Sequence, residues 1–483
     1  MKKFLAIFLS AVLMLSAAGC SSNKPSVPED MISGEDIILS REDEEPLVSQ
    51  SEYPDTDDSE ALESSSSSES SSSSQSAASS ESASSSQAPS SQAESSSSSS
   101  QPESAPESSE EPEPESASPT ISGEVRAIWI SYLDLAPMIK GKSKSQFQSN
   151  IGAAFDDCAD LGLNTVIVQV RPFADALYDS AYFPWSYLVN SGNIEGKSPG
   201  YDPLQVMVSA AHSRGLKIEA WINPYRVRAN GSKVSLCDDN QAQQWLDEGS
   251  DNVVEFNGGI YYNPAREEVQ DLIVNGVEEI VSNYDVDGIH FDDYFYPSPD
   301  NSFDSAAYKE YKNAGGGKSL GDWRRSNVDT LVKRVYKAIK SIDSSCTFGI
   351  SPQGNRSNNW SHQYIDVEKW VTNTGYVDYI CPQIYWGYNN SSAPYQSVLE
   401  EWNDLIGVSK VKLYVGLAAY KIGNSESDFI NNSNMMKRQV VSAREQSRYQ
   451  GFALYRYDSL FNPDAGCRSQ VAKELKNLES ILD

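Results

Sequence analysis

The chain has 483 residues, enough for two to four ordinary domains or for one large barrel with additional segments. It carries 68 acidic and 38 basic side chains, a formal net charge of -30. Such acidity argues against nucleic acid as a partner, because counterion release requires a basic surface, and against electrostatic adhesion to anionic lipid. The charge is uneven: residues 21–120 hold 23 acids and 2 bases, and the remaining acidic excess is ordinary for a soluble domain.

The first twenty residues have the pattern of an export signal. Lys2 and Lys3 form a short positive segment, and residues 4–18 form an apolar segment too short to span a bilayer. Small residues then precede Cys20, as in a bacterial lipobox. We therefore expect residues 1–19 to be a lipoprotein signal peptide, and lipid on Cys20 to hold the protein on the extracytoplasmic face of the cell membrane. The alternative is a plain secretory signal in which Cys20 has no role.

Residues 20–120 are predicted to form a disordered acidic linker. Between Ser64 and Ser100, 25 of 37 residues are serine, and Pro-Glu repeats follow. Almost no aromatic or branched side chain is present from residue 50 to residue 119, so no core can form there. A flexible coil of about 100 residues reaches roughly 50–60 Å, which would let a tethered domain explore the cell wall. Residues 121–483 remain for the folded domain.

From Gly123 onward, β-rich runs alternate with segments of helical periodicity, such as residues 147–161 and 202–214. Gly162 and Gly215 follow these two segments as C-cap glycines. Eight strands over about 360 residues predict an α/β protein with a (β/α)8 TIM barrel. An open doubly wound sheet is the alternative, but no glycine-rich phosphate turn follows the first strand. The predicted strands are Arg126–Ser131, Asn164–Arg171, Lys217–Asn223, Gly288–Asp292, Thr347–Ser351, Val377–Tyr385, Lys412–Ala418 and Gly451–Tyr457.

In such a barrel the active groups lie at the C-terminal ends of the strands and in the loops that follow. These ends are dense in Tyr, Trp, Asn, Gln, Arg and Asp. Aromatic faces stack on sugar rings, and amides and arginines bind hydroxyl groups, so the ends favour a polysaccharide substrate over a phosphate or nucleotide. The predicted substrate-binding residues are Arg171, Tyr178, Asn223, Tyr225, Arg226, Asn263, His290, Gln383, Tyr385 and Trp386.

The fourth predicted strand carries the sharpest candidate site. Strand alternation directs His290 and Asp292 to the same side, into an open barrel mouth, and Asp293 begins the following loop. Asp292 would act as nucleophile or base at an oxocarbenium-like centre. Asp293, or Asp175 after the second strand, would protonate the leaving oxygen, for which its pKa must be raised. This chemistry requires no cofactor.

Other interpretations of the same residues remain open. Asp292 could form only a structural ion pair with Arg171 or Arg226 across the mouth. His290 and the two aspartates could instead bind a metal, as in a metal-dependent deacetylase. Glu219 lies two residues deeper in the third strand than the mouth, so we expect it to be a buried, paired group.

Longer segments resemble the glycosyl-hydrolase-like family 10 domain. They are NTVIVQVRPFADALY at 164–178, GYDPLQVMVSAAHSRGLKIEAWINPYR at 200–226, DGIHFDDYFYP at 287–297 and VDYICPQIYW at 377–386, and the Tyr262-Asn263-Pro264 step fits as well. The resemblance covers residues 123–470 and implies a (β/α)8 barrel that hydrolyses glycosidic bonds. Members with an assigned activity act on bacterial cell-wall glycan, notably strands stripped of their peptides.

The resemblance also assigns the site residues. The family's Asp-Asp pair falls on Asp292 and Asp293, its Asp-Ala-Leu-Tyr loop on residues 175–178, its Asn-Pro-Tyr-Arg on residues 223–226 and its Pro-Gln-Ile-Tyr on residues 382–385. We expect a lipid-anchored glycoside hydrolase whose substrate is peptidoglycan glycan. A barrel that has lost catalysis and only binds cell-wall glycan is the alternative.

Overall fold

The computed structural model describes residues 121–408 and 410–482 of the chain, and the predicted signal peptide and linker lie outside these residues. Its strands, in chain order, are β1 (Val125–Ile130), β2 (Thr165–Arg171), β3 (Lys217–Ile222), β4 (Arg226–Arg228), β5 (Val253–Phe256), β6 (Gly259–Tyr262), β7 (Gly288–Phe291), β8 (Thr347–Ile350), β9 (Tyr379–Ile380), β10 (Lys412–Leu417) and β11 (Tyr449–Leu454).

Eight of these strands form a closed parallel barrel in the order β1-β11-β10-β9-β8-β7-β3-β2. Each of the eight strands predicted from the sequence overlaps one of them, which confirms the α/β class and the (β/α)8 barrel. Only β9 is much shorter than predicted. Pro382 lacks a backbone N–H and cannot continue the ladder, so pairing beyond β9 reduces to single bridges from Gln383 to Gln353 and Gly416.

Helices follow the barrel strands and surround them. They are α1 (Tyr132–Ile139), α2 (Lys144–Asp160), α3 (Pro203–His212), α4 (Gln241–Asp247), α5 (Glu267–Asn283), α6 (Ser305–Asn313), α7 (Leu320–Ile342), α8 (Arg356–Ser361), α9 (Val367–Thr372), α10 (Tyr395–Leu405), α11 (Ser427–Asn431), α12 (Met435–Arg444), α13 (Tyr457–Phe461) and α14 (Arg468–Glu479). Within the described ranges, no helix is both long enough and apolar enough to cross a bilayer.

Local sequence sets the helix ends. Helix α2 begins at a capping box formed by Ser143 and Gln146, and the Asp202 side chain caps α3 by accepting the N–H of Gln205. Gly162 and Gly215, predicted as C-cap glycines, have φ angles of 87° and 72°. Both helices therefore end where a left-handed residue turns the chain back into a strand.

A small antiparallel sheet, in the order β4-β6-β5, interrupts the alternation between β3 and α5. This sheet was not predicted from the sequence, because its strands have only three or four residues. Its hairpin turns at Asn257 and Gly258, whose φ angles of 48° and 81° fit the two-residue turn that Asn-Gly favours. Arg226 is the first residue of β4 and pairs in this sheet with Tyr261 of β6.

Large rings fill the inside of the barrel. Trp129, Trp221, Tyr379 and Tyr414 form an apolar cluster separate from the core that packs between the strands and the helices. The rings of Tyr379 and Tyr414 stack with centroids 4.2 Å apart. Gly349 makes room for them, because a Cβ at that position would lie 1.8 Å from the Tyr379 ring.

Candidate functional site

The end of strand β7 directs two polar side chains into the barrel, as strand alternation predicted. Trp129 Nε1–H donates to His290 Nε2 at 3.1 Å, and Trp221 Nε1–H donates to Asp292 Oδ2 at 3.1 Å. Both tryptophans belong to the interior cluster. The parallel barrel thus places the indole donors of β1 and β3 at the height where each polar group of β7 needs a partner.

Asp292 is buried rather than open to a cleft. Its side chain is 3% exposed, and Oδ1 accepts the backbone N–H of Tyr294 at 3.1 Å. Burial, reinforced by the neighbouring charge of Asp293, raises the pKa of Asp292 well above its ordinary value. The expectation that this carboxyl looks into an open mouth is therefore wrong, because almost none of the residue is accessible to solvent.

Asp293 is the less buried member of the pair, since the residue is partly exposed whereas Asp292 is not. Burial raises its pKa as well, but hydrogen bonds from the side chains of Gln353 and Gln383 oppose that shift. These amides follow strands β8 and β9. The loop ends of three neighbouring strands therefore hold this carboxyl group beside two amides, which offset part of the effect of burial.

Arg226 supplies positive charge beside both aspartates. Its guanidinium carbon lies 5.0 Å from the ring centroid of Phe173 and 4.8 Å from that of Tyr294, and its side chain is largely buried. Its charge lowers the pKa of Asp292 and of Asp293 against the larger effect of burial. The two aromatic rings hold this cation in place by packing and cation–π attraction.

His290 belongs to a hydrogen-bonded chain beneath the aspartates. Because Trp129 donates to Nε2, the proton of the neutral His290 ring is on Nδ1. Nδ1–H donates to the Tyr379 hydroxyl at 2.8 Å, and that hydroxyl in turn donates to the Glu219 carboxylate. Burial lowers the pKa of His290 to about 3 and raises that of Glu219 to about 7. The expectation that Glu219 is buried and paired is confirmed, since its other oxygen accepts from Thr347 at 3.1 Å.

The hydrogen bonds of His290 occupy both ring nitrogens, so its place in the barrel is structural. Within residues 121–408 and 410–482, no three His, Cys, Asp or Glu side chains are grouped so that they could hold a metal ion.

Aromatic rings form the wall of the mouth above β9, β10 and β11. Tyr385 lies 5.7 Å from Tyr420 and 5.8 Å from Tyr455, measured between ring centroids, and Tyr455 lies 6.0 Å from Trp129. Trp386 follows Tyr385 and is partly exposed. Aromatic rings are therefore grouped at the C-terminal ends of these three strands, as the sequence predicted.

Two predicted sugar contacts from the second strand lie outside the barrel instead. Arg171 is 1% exposed, its guanidinium carbon lies 4.1 Å from the centroid of the Phe183 ring, and a Cβ on Gly276 of helix α5 would lie 2.5 Å from its Nη1. Tyr178 is fully buried nearby, and its hydroxyl interacts with the charge of Arg171. A β-bulge after Gln169 turns this strand end away from the mouth, which argues against direct sugar contact.

Asp175, predicted as a possible acid, is fully buried in an ion cluster. Arg228 Nη1 lies 3.5 Å from its Oδ2 and also pairs with Glu195. Burial raises the pKa of Asp175 to about 6, opposed by the charge of Arg228. The cluster ties the loop after β2 to strand β4, and this burial argues against Asp175 as the group that protonates a sugar oxygen.

The remaining predicted contacts shape the loops around the mouth. Asn223 accepts from Gln169 Nε2 at 3.0 Å, Asn263 Nδ2–H donates to the carbonyl oxygen of Asp251 at 2.9 Å, and Tyr225 is 1% exposed. Of the ten predicted substrate-binding residues, only Gln383 and Trp386 have partly exposed side chains. The other eight residues are buried, so they support the loops of the site and do not form its surface.

Four residues of the site were missed in the sequence: Trp129, Trp221, Tyr379 and Gln353. The first three occupy inward positions of predicted strands, where large rings are normally read as core. Gln353 follows the fifth predicted strand, where the sequence alone does not distinguish it from the other polar residues at the strand ends. These four residues contact residues that the sequence did single out, namely His290, Asp292, Glu219 and Asp293. The contacts between them are evident only once the strands are placed side by side.

A closed parallel barrel with a carboxyl pair, amides and aromatic rings at the C-terminal ends of its strands defines a glycoside hydrolase of the TIM-barrel class. A family model described as glycosyl hydrolase-like 10 matches residues 124–432. The chain belongs to this family, which confirms the resemblance found in its motifs.

Two curated relatives match most of the chain. It is 34% identical over 391 residues to glycosyl hydrolase YngK of Bacillus subtilis (strain 168), covering 76% of this chain and 75% of that protein. It is 35% identical over 393 residues to glycosyl hydrolase DigH of Escherichia coli (strain K12), covering 72% and 87%. The glycoside hydrolase domain of PgaB (BpsB) from Bordetella bronchiseptica has a TM-score of 0.51 at 12% identity, covering 74% of this chain and 99% of that one, and so shares the fold.

Proposed function

We propose that this protein hydrolyses the glycan strands of peptidoglycan from the outer face of the cell membrane, to which lipid on Cys20 anchors it. Glycoside hydrolysis follows from the family and the barrel. The export signal and the cysteine support the location, and a linker of about 100 residues with a reach of roughly 50–60 Å supports a substrate in the wall layer.

The observation that carries the catalytic proposal is the Asp292–Asp293 pair at the end of strand β7. Adjacent carboxyl groups in different surroundings take different protonation states, which is how glycosidases separate the roles of their acids. Asp292 is buried and has the pKa raised well above the ordinary value, whereas Asp293 is partly exposed and receives two amide hydrogen bonds.

These surroundings favour Asp293 as the carboxylate that contacts the sugar. It is the member of the pair that a substrate in the mouth can reach, and Gln353 and Gln383 hold it in position. Asp292, tied by Trp221 and Tyr294, holds its proton and supports the turn that presents Asp293. Arg226 lies beside both groups, where its charge compensates the negative charge of ionised Asp293.

The test uses the purified protein and glycan strands stripped of their peptides. The native chain is expected to shorten the strands. Asp293→Asn is expected to reduce kcat by about 100-fold or more, the range typical of a lost acid–base or charged group. Asp300→Asn is the matched control, because Asp300 is exposed in the same loop and its side chain accepts hydrogen bonds from its neighbour Ser302. Unchanged strand length with the native protein over a range of pH would refute the proposal.

Burial of Asp292 also supports a second candidate, a barrel that binds cell-wall glycan without cleaving it. Native protein that retains denuded strands but releases no product would favour this candidate. Equal affinity of the native protein and Asp292→Asn would then show that binding alone explains the site.

The location has its own test. Cys20→Ala is expected to move the protein from the membrane fraction to the soluble extracytoplasmic fraction, because a lipidated cysteine is the proposed anchor. Metabolic labelling with a radioactive fatty acid should mark the native chain and not the variant. An unlabelled native chain would show that the anchor assignment is wrong.

A further inference from the structure

Trp360 exposes a large ring on the same end of the barrel as the aspartate pair. It belongs to helix α8, which follows the C-terminal end of strand β8, and its side chain is 48% exposed. Removing this indole from water would be favourable, and a tryptophan needed only for packing is normally covered. At this end of the barrel the exposed indole is available to a ligand bound near the aspartate pair.

The Trp360 ring has one covered face. The guanidinium carbon of Arg325 lies 3.7 Å from its ring centroid, and Arg325 Nη1–H donates to the Trp360 carbonyl oxygen at 2.9 Å. Arg325 also pairs with Asp322 at 2.8 Å and is itself only 11% exposed. The indole thus lies over a fixed cation, and the exposed part of the ring faces away from it, toward solvent.

Hydrogen bonds connect Asn359, the residue before Trp360, to the candidate catalytic group. Asn359 Nδ2–H, next to Trp360 in the chain, donates to the carbonyl oxygen of Gln353 at 2.7 Å, and the Gln353 side chain bonds to Asp293. This path limits the separation of the Trp360 Cα atom and the Asp293 carboxyl to about 20 Å, counting side-chain reach and the 3.8 Å spacing of consecutive Cα atoms. A glycan bound at Asp293 is long enough to span that distance with several sugar units.

We infer that Trp360 forms an outer sugar-binding subsite, on which a ring of the glycan stacks at a distance from the bond that is cleaved. This inference rests on the proposed function, because it assigns one more contact to the same polysaccharide. It implies that the enzyme favours long strands over short fragments. The partner is identified by its chemistry: a sugar ring with an apolar face offers the flat, partly hydrated surface that an exposed indole binds.

The experiment compares long denuded glycan strands with the shortest fragment that the native protein cleaves. Trp360→Ala is expected to lower the ratio of kcat/KM on long strands to kcat/KM on the short fragment by about tenfold, the effect of losing one aromatic stack. Trp360→Phe, which keeps a ring, should recover most of the ratio. Ile342→Ala is the control, since Ile342 is also 41% exposed but ends helix α7 at the opposite face of the barrel.

The possible outcomes separate the two proposals. A ratio unchanged by Trp360→Ala, or a loss equal on long and short substrates, overturns the subsite. A fall in the ratio that comes with a lowered melting temperature, and that Trp360→Phe does not recover, also overturns it, because the role would be structural. If the native protein cleaves no glycan, the proposed function fails. The subsite is then tested by binding: Trp360→Ala should lower the ratio of the affinity for long strands to the affinity for short strands, and an unchanged ratio overturns the subsite.

Discussion

Glu219 is a buried acid inside the barrel, and its titration should appear in the stability of the protein. Burial raises its pKa from 4.5 to about 7, against hydrogen bonds from Tyr379 and Thr347 that lower it. The folded protein therefore binds this proton more tightly than the unfolded chain does. The stability contributed by the neutral group is fully present below pH 4.5 and is lost as the pH rises through 7.

The size of the effect follows from that shift. A pKa shift of about 2.5 units corresponds to about 3 kcal/mol between pH 4.5 and pH 8, at 1.36 kcal/mol per unit. Glu219→Gln keeps the shape and an acceptor for Tyr379 but does not ionise. We expect the variant to match the native protein near pH 4.5 and to be more stable by up to about 3 kcal/mol at pH 8, or roughly 6 °C in melting temperature.

Urea and thermal unfolding at several pH values between 4.5 and 8 measure this difference. Glu479→Gln serves as the control, because Glu479 is exposed at the end of helix α14. A Glu219→Gln variant no more stable than the native protein at pH 8 would refute the reasoning, as would an equal gain at pH 4.5. Either result would mean that ionisation of the Glu219 carboxyl inside the barrel does not destabilise the folded protein.

Three further predictions follow from the site. Trp221→Phe removes the indole donor from Asp292, so the pKa of Asp292 should rise further. The limb of the pH profile of kcat/KM that reports this group should then move to higher pH by roughly one unit, and an unmoved profile would contradict the prediction. Gly349→Ala should destabilise the fold by about 1–3 kcal/mol in urea unfolding, because its methyl group would overlap the Tyr379 ring, and native-like stability would show that the ring can move. Asp175→Asn should cost about 3 kcal/mol at pH 7.5 by leaving a buried cation underpaired, whereas full stability with lost kcat would restore Asp175 as a catalytic candidate.

The barrel was predictable because its signals are local. Strand and helix periods and the C-cap glycines at 162 and 215 each act within a few residues of the chain. Parallel strands alternating with helices leave few ways to close a sheet. Alternation along one strand likewise predicted that His290 and Asp292 point inward, because it too is a property of neighbouring residues.

The protonation states and accessibility of the site were decided by tertiary structure. Asp292 and Asp293 are adjacent in the chain, yet Asp292 is buried and bonded to Trp221, and Asp293 is partly exposed and bonded to Gln353 and Gln383. Their partners come from positions 60 to 90 residues away, so no local pattern relates them.

By itself, the sequence determined the fold class, the eight barrel strands, the motif that carries the carboxyl pair and membership of the family. Only the folded chain decided that Arg171 and Asp175 lie buried outside the mouth, that Glu219 pairs with Tyr379, and that Trp360 lies exposed over Arg325. The physical reason is that burial and electrostatic environment sum over neighbours from many strands, whereas sequence patterns report on one element at a time.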